Sequence, residues 1–141
     1  MTKRKSLIVN TSAMMSHGAC IYGQTYSATK HLTDFVTLGL KEELKNYGVD
    51  VCAWRAAGVK TKLIAEASKE DSGFLHDLAT PSPDQYVEAA FKKCTSGAHH
   101  GYYIHEIVGL VIDNISDIFP WFGSFAMNKL CSKIGESGKM H

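Results

Sequence analysis

Residues 24–54 read QTYSATKHLTDFVTLGLKEELKNYGVDVCAW, and their pattern changes from helical to extended at Gly48. The first part places apolar residues on one helical face at spacings of three and four: Leu32, Phe35, Val36, Leu40 and Leu44. Glycine is common where a helix ends, and Val49–Trp54 is rich in residues that favour strands. The stretch therefore predicts a long helix followed by a strand.

A second apolar run precedes this helix. Ser6–Asn10 reads SLIVN and is apolar on both faces, which is typical of a strand inside a parallel sheet. Further along the chain, we expect another short strand at Gly101–Ile104. The sequence thus predicts a parallel sheet of about three strands.

Three more helices are predicted in the second half of the chain. Ser82 followed by Pro83 and Gln85 forms a capping box, which predicts a helix from Pro83 to about Cys94. An amphipathic face through Ile104, Val108, Val111, Ile115 and Ile118 predicts the next helix, which Pro120 should end or kink. A weaker helix is expected over Trp121–Ile134. Alternating strands and helices predict an α/β fold in one domain, residues 1–135, with a mobile tail at 136–141.

The composition excludes several classes of protein. Fifteen basic and fourteen acidic side chains give a net charge of +1, so no strong field selects nucleic acid. The most apolar region, Ile104–Leu130, is interrupted by charged residues and predicts no transmembrane span. The four cysteines have no paired spacing, which favours free thiols in a reducing compartment.

Two other groups of residues could form functional sites, but a structural role is the favoured interpretation of each. His99-His100 and His105-Glu106 have no partner cluster at a fixed spacing, so we expect solvent-facing or packed histidines and no metal. Aromatic residues follow Pro120 at helical spacing: Trp121, Phe122 and Phe125. Core or partner packing is the favoured reading, and contact with a membrane or an acyl substrate is the alternative.

The pair Tyr26 and Lys30 can form a catalytic site. Residues four apart lie on the same face of a helix, so both side chains can reach one point. A nearby ammonium favours the phenolate and suits tyrosine to proton transfer with a carbonyl or alcohol oxygen. A part-buried tyrosine beside a solvated lysine is the alternative reading.

The order of segments around this pair carries a family resemblance. SLIVNTS, then YSATKHLTDFVTLGLKEELKNYGVDV, then AAGVKT resembles the C-terminal half of the short-chain dehydrogenases/reductases. PSPDQYVEAAFKK and GYYIHEIVGLVIDNISDIFP resemble the branch with hydroxysteroid dehydrogenases and very-long-chain 3-oxoacyl-CoA reductases. The resemblance covers about residues 5–130.

The resemblance implies roles for four residues. Tyr26 would donate a proton to a ketone, and Lys30 would lower the pKa of Tyr26 and bind the nicotinamide ribose. Val59 and Thr61, in the turn AAGVKT, would contact the nicotinamide carboxamide. The family reduces carbonyls by hydride transfer from NADPH or NADH, so an active form would use NADP or NAD.

Two positions depart from the family pattern. The family's serine, thirteen residues before the tyrosine, is Ala13 here, and neighbouring Ser12 should point to the opposite face of the strand. Ser16 could replace that serine only if the loop is rearranged. In the cofactor turn, the family's proline and first glycine are both alanine: Ala56 and Ala57.

The resemblance also predicts an incomplete nucleotide site. The family's glycine-rich turn, which cradles the cofactor pyrophosphate, has no counterpart in the twelve glycines of this sequence. The fold expected is therefore the C-terminal half of a Rossmann-like, doubly wound parallel sheet, with the N-terminal nucleotide-binding half absent. The strand Ser6–Asn10 would then have an open edge. We expect a partner there: the missing half, a second copy or a larger complex.

Two functions follow from these expectations. The favoured one is a catalytically silent structural or accessory subunit derived from a reductase, which binds no cofactor by itself. The alternative is the catalytic half of an NAD(P)H-dependent 3-oxoacyl-CoA or hydroxysteroid oxidoreductase. The resemblance suggests the endoplasmic reticulum membrane, leaves a mitochondrial or cytosolic location open, and allows peripheral membrane association.

Overall fold

The computed structural model describes residues 6–62, 79–94, 99–119 and 121–137. Two strands alternate with helices in this part of the chain: β1 (Ser6–Ala13), α1 (Gln24–Leu44), β2 (Val49–Ala56), α2 (Pro83–Lys92), α3 (Tyr103–Ile118) and α4 (Trp121–Ser137). Short 3₁₀ turns follow β1 at Met14–His17 and α1 at Lys45–Tyr47. The predicted α/β class is confirmed. Residues 138–141 lie outside the described part, so the mobile tail stays a prediction.

The two strands pair in parallel, from Ser6 opposite Val49 to Ala13 opposite Ala56. Gly48, at φ 71°, ends the helical segment before β2, as expected for a glycine at this position. No other described strand pairs with β1, and Leu7 and Ile8 on it are exposed. The open edge expected at Ser6–Asn10 is therefore present among the described residues.

The prediction of a third strand at Gly101–Ile104 is wrong. A single residue, His99, forms an isolated parallel bridge to Trp54. Its backbone N–H donates to Ala53 O at 3.1 Å, and its carbonyl accepts from Arg55 N at 2.9 Å. Gly101 then takes a left-handed conformation at φ 76°, which turns the chain out of the sheet. Helix α3 begins at Tyr103.

The capping box of α2 is present as predicted. The Ser82 hydroxyl accepts from Gln85 N at 3.3 Å, and Gln85 Oε1 accepts from Ser82 N at 3.0 Å. Pro83 is the first helical residue, where its missing N–H costs nothing. The helix ends at Lys92. Helices α3 and α4 follow in the predicted places, although α4 reaches Ser137.

Helix α1 presents its apolar face to solvent. The residues it buries are polar: Ser27, Asp34 and Thr37. Asn10 Nδ2 on β1 donates to Thr37 Oγ1 at 2.8 Å, so this polar side faces the sheet. Phe35 is 72% exposed, and Leu32 and Val36 are exposed beside it. Core burial, one of the two explanations for this apolar face, is wrong for these three residues.

The segment between β1 and α1, residues 14–23, is fixed by the C-terminal helices. We call it the β1–α1 loop. Met14 and Cys20 pack with Ile112 of α3 and Met127 of α4 in one buried cluster. Ala19 N donates to Ser124 Oγ at 3.2 Å, and Ile21 N donates to Asn128 Oδ1 at 2.8 Å. The chain's last two helices therefore position the loop that leads into Tyr26.

A second buried cluster lies on β2 and α2. Its members are Cys52, Trp54, Tyr86, Ala90 and Cys94. Cys52 and Cys94 are free thiols, as expected, but Cys20 is disulfide-bonded, so the expectation of four free thiols is wrong. Burial and the adjacent Cys94 raise the pKa of Cys52 to about 12. Neither free thiol is exposed to react.

No helix among the described residues combines the length and the apolarity that a bilayer crossing requires.

Candidate active site

Tyr26 and Lys30 lie together at the start of α1. The Lys30 ammonium nitrogen is 5.6 Å from the centre of the Tyr26 ring. The ammonium also donates to Thr11 O on β1 at 3.0 Å, which ties the lysine to the end of the strand. Tyr26 is 46% exposed. The spacing of four residues thus brings a phenol and a cation to one accessible place, while their catalytic roles stay a prediction.

The position of the family's serine is occupied by a buried alanine. Ala13 is the last residue of β1. Ser12 is buried with its hydroxyl donating to Lys30 O at 3.2 Å, so its Oγ is held against the backbone of α1. Ser16 is also buried, and its Oγ has no hydrogen-bond partner. Its carbonyl accepts from His31 Nδ1 at 3.0 Å.

The predicted cofactor turn follows β2. Lys60 N donates to Pro81 O at 2.9 Å, and Thr61 N donates to Val59 O at 2.6 Å. Val59 packs against the cluster around Trp54. Because β1 and β2 are parallel, this turn and the β1–α1 loop leave the sheet at the same edge, where ligands bind in open α/β sheets.

Sequence reasoning missed a connected polar group at this edge. His17 Nδ1 is 2.8 Å from Asp113 Oδ1, and His17 Nε2 is 3.0 Å from His100 Nε2. The three residues come from the β1–α1 loop, the segment after His99, and α3. No spacing in the sequence could reveal the group, because only the folded chain brings these elements together. Of the two readings given for His99 and His100, packing is correct, since both are almost fully buried.

Charges surround this group. Arg55 on β2 donates through Nε to Asp34 Oδ2 at 3.0 Å, and its Nη1 is 3.6 Å from Asp113 Oδ2. Burial raises the pKa of the Asp113 carboxyl, but the hydrogen bond from His17 and the charges of His17 and Arg55 outweigh it and hold this pKa below its ordinary value. Burial, with the charge of His17, lowers the pKa of His100 to about 4.

The side chains of His17, His100 and Asp113 are poorly arranged for binding a metal ion. Its potential ligand atoms lie within 4.8 Å of one another. The ring centres of His17 and His100 are 5.3 Å apart with planes 23° apart. This distance is nearly the 3.0 Å nitrogen separation plus the two ring radii, so the nitrogens lie almost on the line between the ring centres. Such an edge-to-edge contact suits a shared proton, because lone pairs that point at each other do not converge on an ion.

A second group with metal-ligand chemistry comprises Cys52, Cys94 and His99, again within 4.8 Å. Gly101 N donates to His99 Nδ1 at 3.1 Å, so the proton of the neutral ring is on Nε2. A metal on Nε2 would need that proton on Nδ1 instead. The two sulfurs, 3.3 Å apart, form a buried thiol pair.

Known proteins resemble this chain in the region that contains Tyr26, Lys30 and the turn after β2. The family model described as short chain dehydrogenase matches residues 1–72. A very-long-chain 3-oxoacyl-CoA reductase-like protein from Arabidopsis thaliana is 31% identical over 123 residues, which are 82% of this chain and 38% of that protein. The very-long-chain 3-oxoacyl-CoA reductase of Homo sapiens is 36% identical over 91 residues, 64% of this chain and 27% of that protein.

The chain therefore spans between about a quarter and two-fifths of the length of these relatives. The family match covers β1, the β1–α1 loop, α1 and β2, and so includes the Tyr26 and Lys30 pair and the turn after β2. On this match, the chain belongs to the short-chain dehydrogenase/reductase family.

Proposed function

We propose that this chain is the proton-donating part of an NAD(P)H-dependent carbonyl reductase that acts on a 3-oxoacyl thioester or a similar lipid-like ketone. The observation that carries the proposal is the position of the exposed Tyr26 phenol beside the Lys30 ammonium, 5.6 Å from the ring centre. The substrate class is suggested by the named activity of the relatives from Homo sapiens and Arabidopsis thaliana.

The two side chains would divide the work of proton transfer. The Tyr26 hydroxyl donates its proton to the substrate carbonyl oxygen, and Lys30 stabilises the phenolate that remains. Lys30 is itself positioned by its hydrogen bond to Thr11 O. The nicotinamide cofactor, when bound, supplies the hydride. The Lys30 ammonium and the exposed Tyr26 phenol lie at the C-terminal end of the two parallel strands, where they would bind a ribose, and Val59 and Thr61 follow β2 at the same end.

Ala13 should weaken this chemistry without removing it. Loss of one hydrogen-bond donor to a developing oxyanion costs about 10²–10³ in rate. Enzymes accelerate reactions by about 10⁶-fold or more, so a residual activity would survive this loss. The Ser12 hydroxyl is held by Lys30 O and so does not supply the donor.

A second candidate function is a catalytically silent accessory subunit of a larger assembly. Ala13, together with the hydroxyl of Ser12 held against α1, favours it. The unpaired edge of β1 would then serve to bind the partner. A partner on that edge, peripheral membrane contact and an endoplasmic reticulum location are proposed here on family resemblance.

A turnover assay separates the two candidates. Long-chain 3-oxoacyl-CoA and NADPH are supplied to the protein purified from its native source, and Tyr26→Phe is compared with Tyr47→Phe. Tyr47 is a suitable control because it is 73% exposed in the 3₁₀ turn after α1. We expect Tyr26→Phe to lower kcat by about 10²–10⁴, Tyr47→Phe to leave it unchanged, and Ala13→Ser to raise it by about 10²-fold.

Each outcome of the assay decides between the candidates. Normal turnover in Tyr26→Phe would remove Tyr26 from the mechanism and overturn the first proposal. Folded protein that neither binds NADPH saturably nor gives turnover, even as Ala13→Ser, would establish the silent function.

A further inference from the structure

The contact between His17 and His100 joins parts of the chain that are far apart in sequence. His17 belongs to the β1–α1 loop, His100 follows the bridge residue His99, and Asp113 lies in the middle of α3. Their two hydrogen bonds, of 2.8 and 3.0 Å, cross 96 and 83 residues of chain, respectively (113 − 17 and 100 − 17). Helix α4 holds the same loop through Ser124 and Asn128.

The edge-to-edge geometry allows only one proton between the two rings. One Nε2 must donate and the other must accept across the 3.0 Å separation. His17 Nδ1 must donate to the Asp113 carboxylate, so in the neutral pair His17 Nε2 is the acceptor and His100 Nε2–H is the donor. A proton that enters the pair must then place an N–H on His100 Nδ1, which is buried and has no hydrogen-bond partner. Protonation therefore costs more in this closed form than in an open form where this N–H meets water.

The site is built to hold the His100 ring. A Cβ at Gly109 would overlap the His100 imidazole, so this helical position must lack a side chain. Gly109 and Asp113 are four residues apart and lie on the same face of α3. One turn of α3 thus gives the space for His100 and the next gives the carboxylate for His17. His100 Nδ1 is buried without a hydrogen-bond partner, so the bond to His17 is the one its ring makes.

Charged groups face His100 from every neighbouring element. Asp113 and Glu106 on α3 favour its protonated form, while His17 on the loop and Arg55 on β2 oppose it. Glu106 Oε2 accepts from His100 N at 2.9 Å and lies 3.8 Å from Lys93 Nζ, after α2. Asp34 on α1 balances Arg55. Burial is the largest influence and opposes the charge on His100.

We infer that Asp113, His17 and His100 form an acid-sensitive latch, which fastens the β1–α1 loop to α3 at neutral pH and releases it when the histidine pair takes up a proton. The inference rests on the contacts of this chain and does not require the proposed reductase activity. Since the loop leads directly into Tyr26, release would loosen the edge of the sheet where the candidate active site lies.

The direction of the pH effect follows from linkage. The pKa of His100 is about 4 in the closed form against an ordinary value of 6.5, so the open form binds the proton more tightly. The equilibrium constant for closing is therefore largest above pH 6.5 and falls as the pH drops toward 4. The total decrease is up to about 300-fold. Protonation of Asp113, whose pKa is lowered in the closed form, acts in the same direction at lower pH.

Two measurements test the latch in the full chain. The first is the ¹⁵N–¹⁵N coupling across the hydrogen bond between His17 and His100, which we expect at neutral pH and not in acid. The second is hydrogen exchange of the Ala19 and His100 amides, corrected for the intrinsic rate. Between about pH 7 and pH 5 we expect their protection to fall about 20-fold.

Matched variants assign the response. His100→Gln cannot take up the proton, so its exchange protection should change by less than about threefold over the same pH range. His31→Gln is the control, because His31 also bonds the loop, through Ser16 O, and its variant should keep the full response. Should His100→Gln fail to fold, the coupling in the unmodified chain still decides the question.

Three results would overturn the latch. They are the absence of the coupling at neutral pH, a full acid response in folded His100→Gln, and saturable Zn²⁺ binding that His17→Gln abolishes. The last would mean that the facing nitrogens hold an ion instead of a proton.

Discussion

Gly109 shows how one missing side chain shapes the region beside the candidate active site. Glycine inside a helix costs about 1 kcal/mol relative to alanine, so α3 is less stable by itself for having it. The cost is offset by the His100 ring, which occupies the space beside the Gly109 Cα and could not do so beside a Cβ. The glycine is therefore explained by packing, which no helical periodicity could have indicated.

The first prediction concerns this glycine. Gly109→Ala should lower the free energy of unfolding by about 1–3 kcal/mol, because the added methyl must displace the buried His100 ring. Gly39→Ala is the matched control, since Gly39 is also helical but has no atom within 4 Å of the added Cβ. There the substitution should stabilise by about 0.5–1 kcal/mol. Equal effects in denaturant unfolding would contradict the packing explanation.

Ala13 and Ser12 show a limit of sequence reasoning at the same scale. The alternation of side chains along a strand correctly predicted that Ser12 points away from the family's serine position, and its hydroxyl indeed bonds Lys30 O. Ser16 could not be judged in the same way, because it lies in a 3₁₀ turn with no simple alternation. Its burial is decided by the packing of the β1–α1 loop against α3 and α4.

Helix α2 is the element that the sequence specifies best. Its first turn carries a complete capping box and a proline at the first position, and the structure has both hydrogen bonds of the box. These signals are local, since every group involved lies within four residues of the others. Local signals of this kind survive whatever the rest of the fold does.

The second prediction tests the cap of α2. Ser82→Ala removes the acceptor of the Gln85 N–H and should lower the free energy of unfolding by about 1 kcal/mol. Ser82→Asp restores an acceptor and adds a negative charge at the helix N-terminus, so it should recover most of the loss. Thermal unfolding of the two variants, measured together, provides the check. A Ser82→Asp protein as unstable as Ser82→Ala would refute the capping role.

Helix α1 shows what periodicity alone leaves undecided at this scale. Its apolar residues were correctly expected on one face, but that face is exposed, and the side toward the sheet is polar. An apolar face indicates that something packs against it, but it does not show whether this is the core of the same chain or another molecule.

At the scale of the whole molecule, the described residues expose many large apolar side chains. The face of α1 through Leu32, Phe35 and Val36 is open, as is the edge of β1. Trp121 and Phe125 of α4 are also mostly exposed, so packing in the core of this chain does not explain them. Packing on a partner, and contact with a membrane or an acyl substrate, are the explanations that remain for Trp121 and Phe125.

The third prediction is that the chain self-associates in isolation. Phe35→Lys should weaken the association by about 10–100-fold, because burial of one large apolar side chain contributes about 1.5–3 kcal/mol. Tyr47→Lys removes an equally exposed aromatic residue outside the α1 face and should leave the association unchanged. Light scattering over a range of protein concentrations measures both. A monomer at all concentrations, or equal effects of the two variants, would contradict the prediction.

The sequence by itself determined the strand–helix order, the parallel pairing of β1 and β2, the cap of α2 and the proximity of Tyr26 to Lys30. These features depend on residues within a few positions of one another, or on a motif order that the family shares. Tertiary structure alone decided that Leu32, Phe35 and Val36 of α1 are exposed and that His17, His100 and Asp113 meet. It also decided that, among the described residues, a bridge at His99 takes the place of the strand predicted at Gly101–Ile104. The physical reason is that contacts between distant segments depend on how whole helices and strands pack. The periodicity of side chains along one element does not specify which other element packs against it.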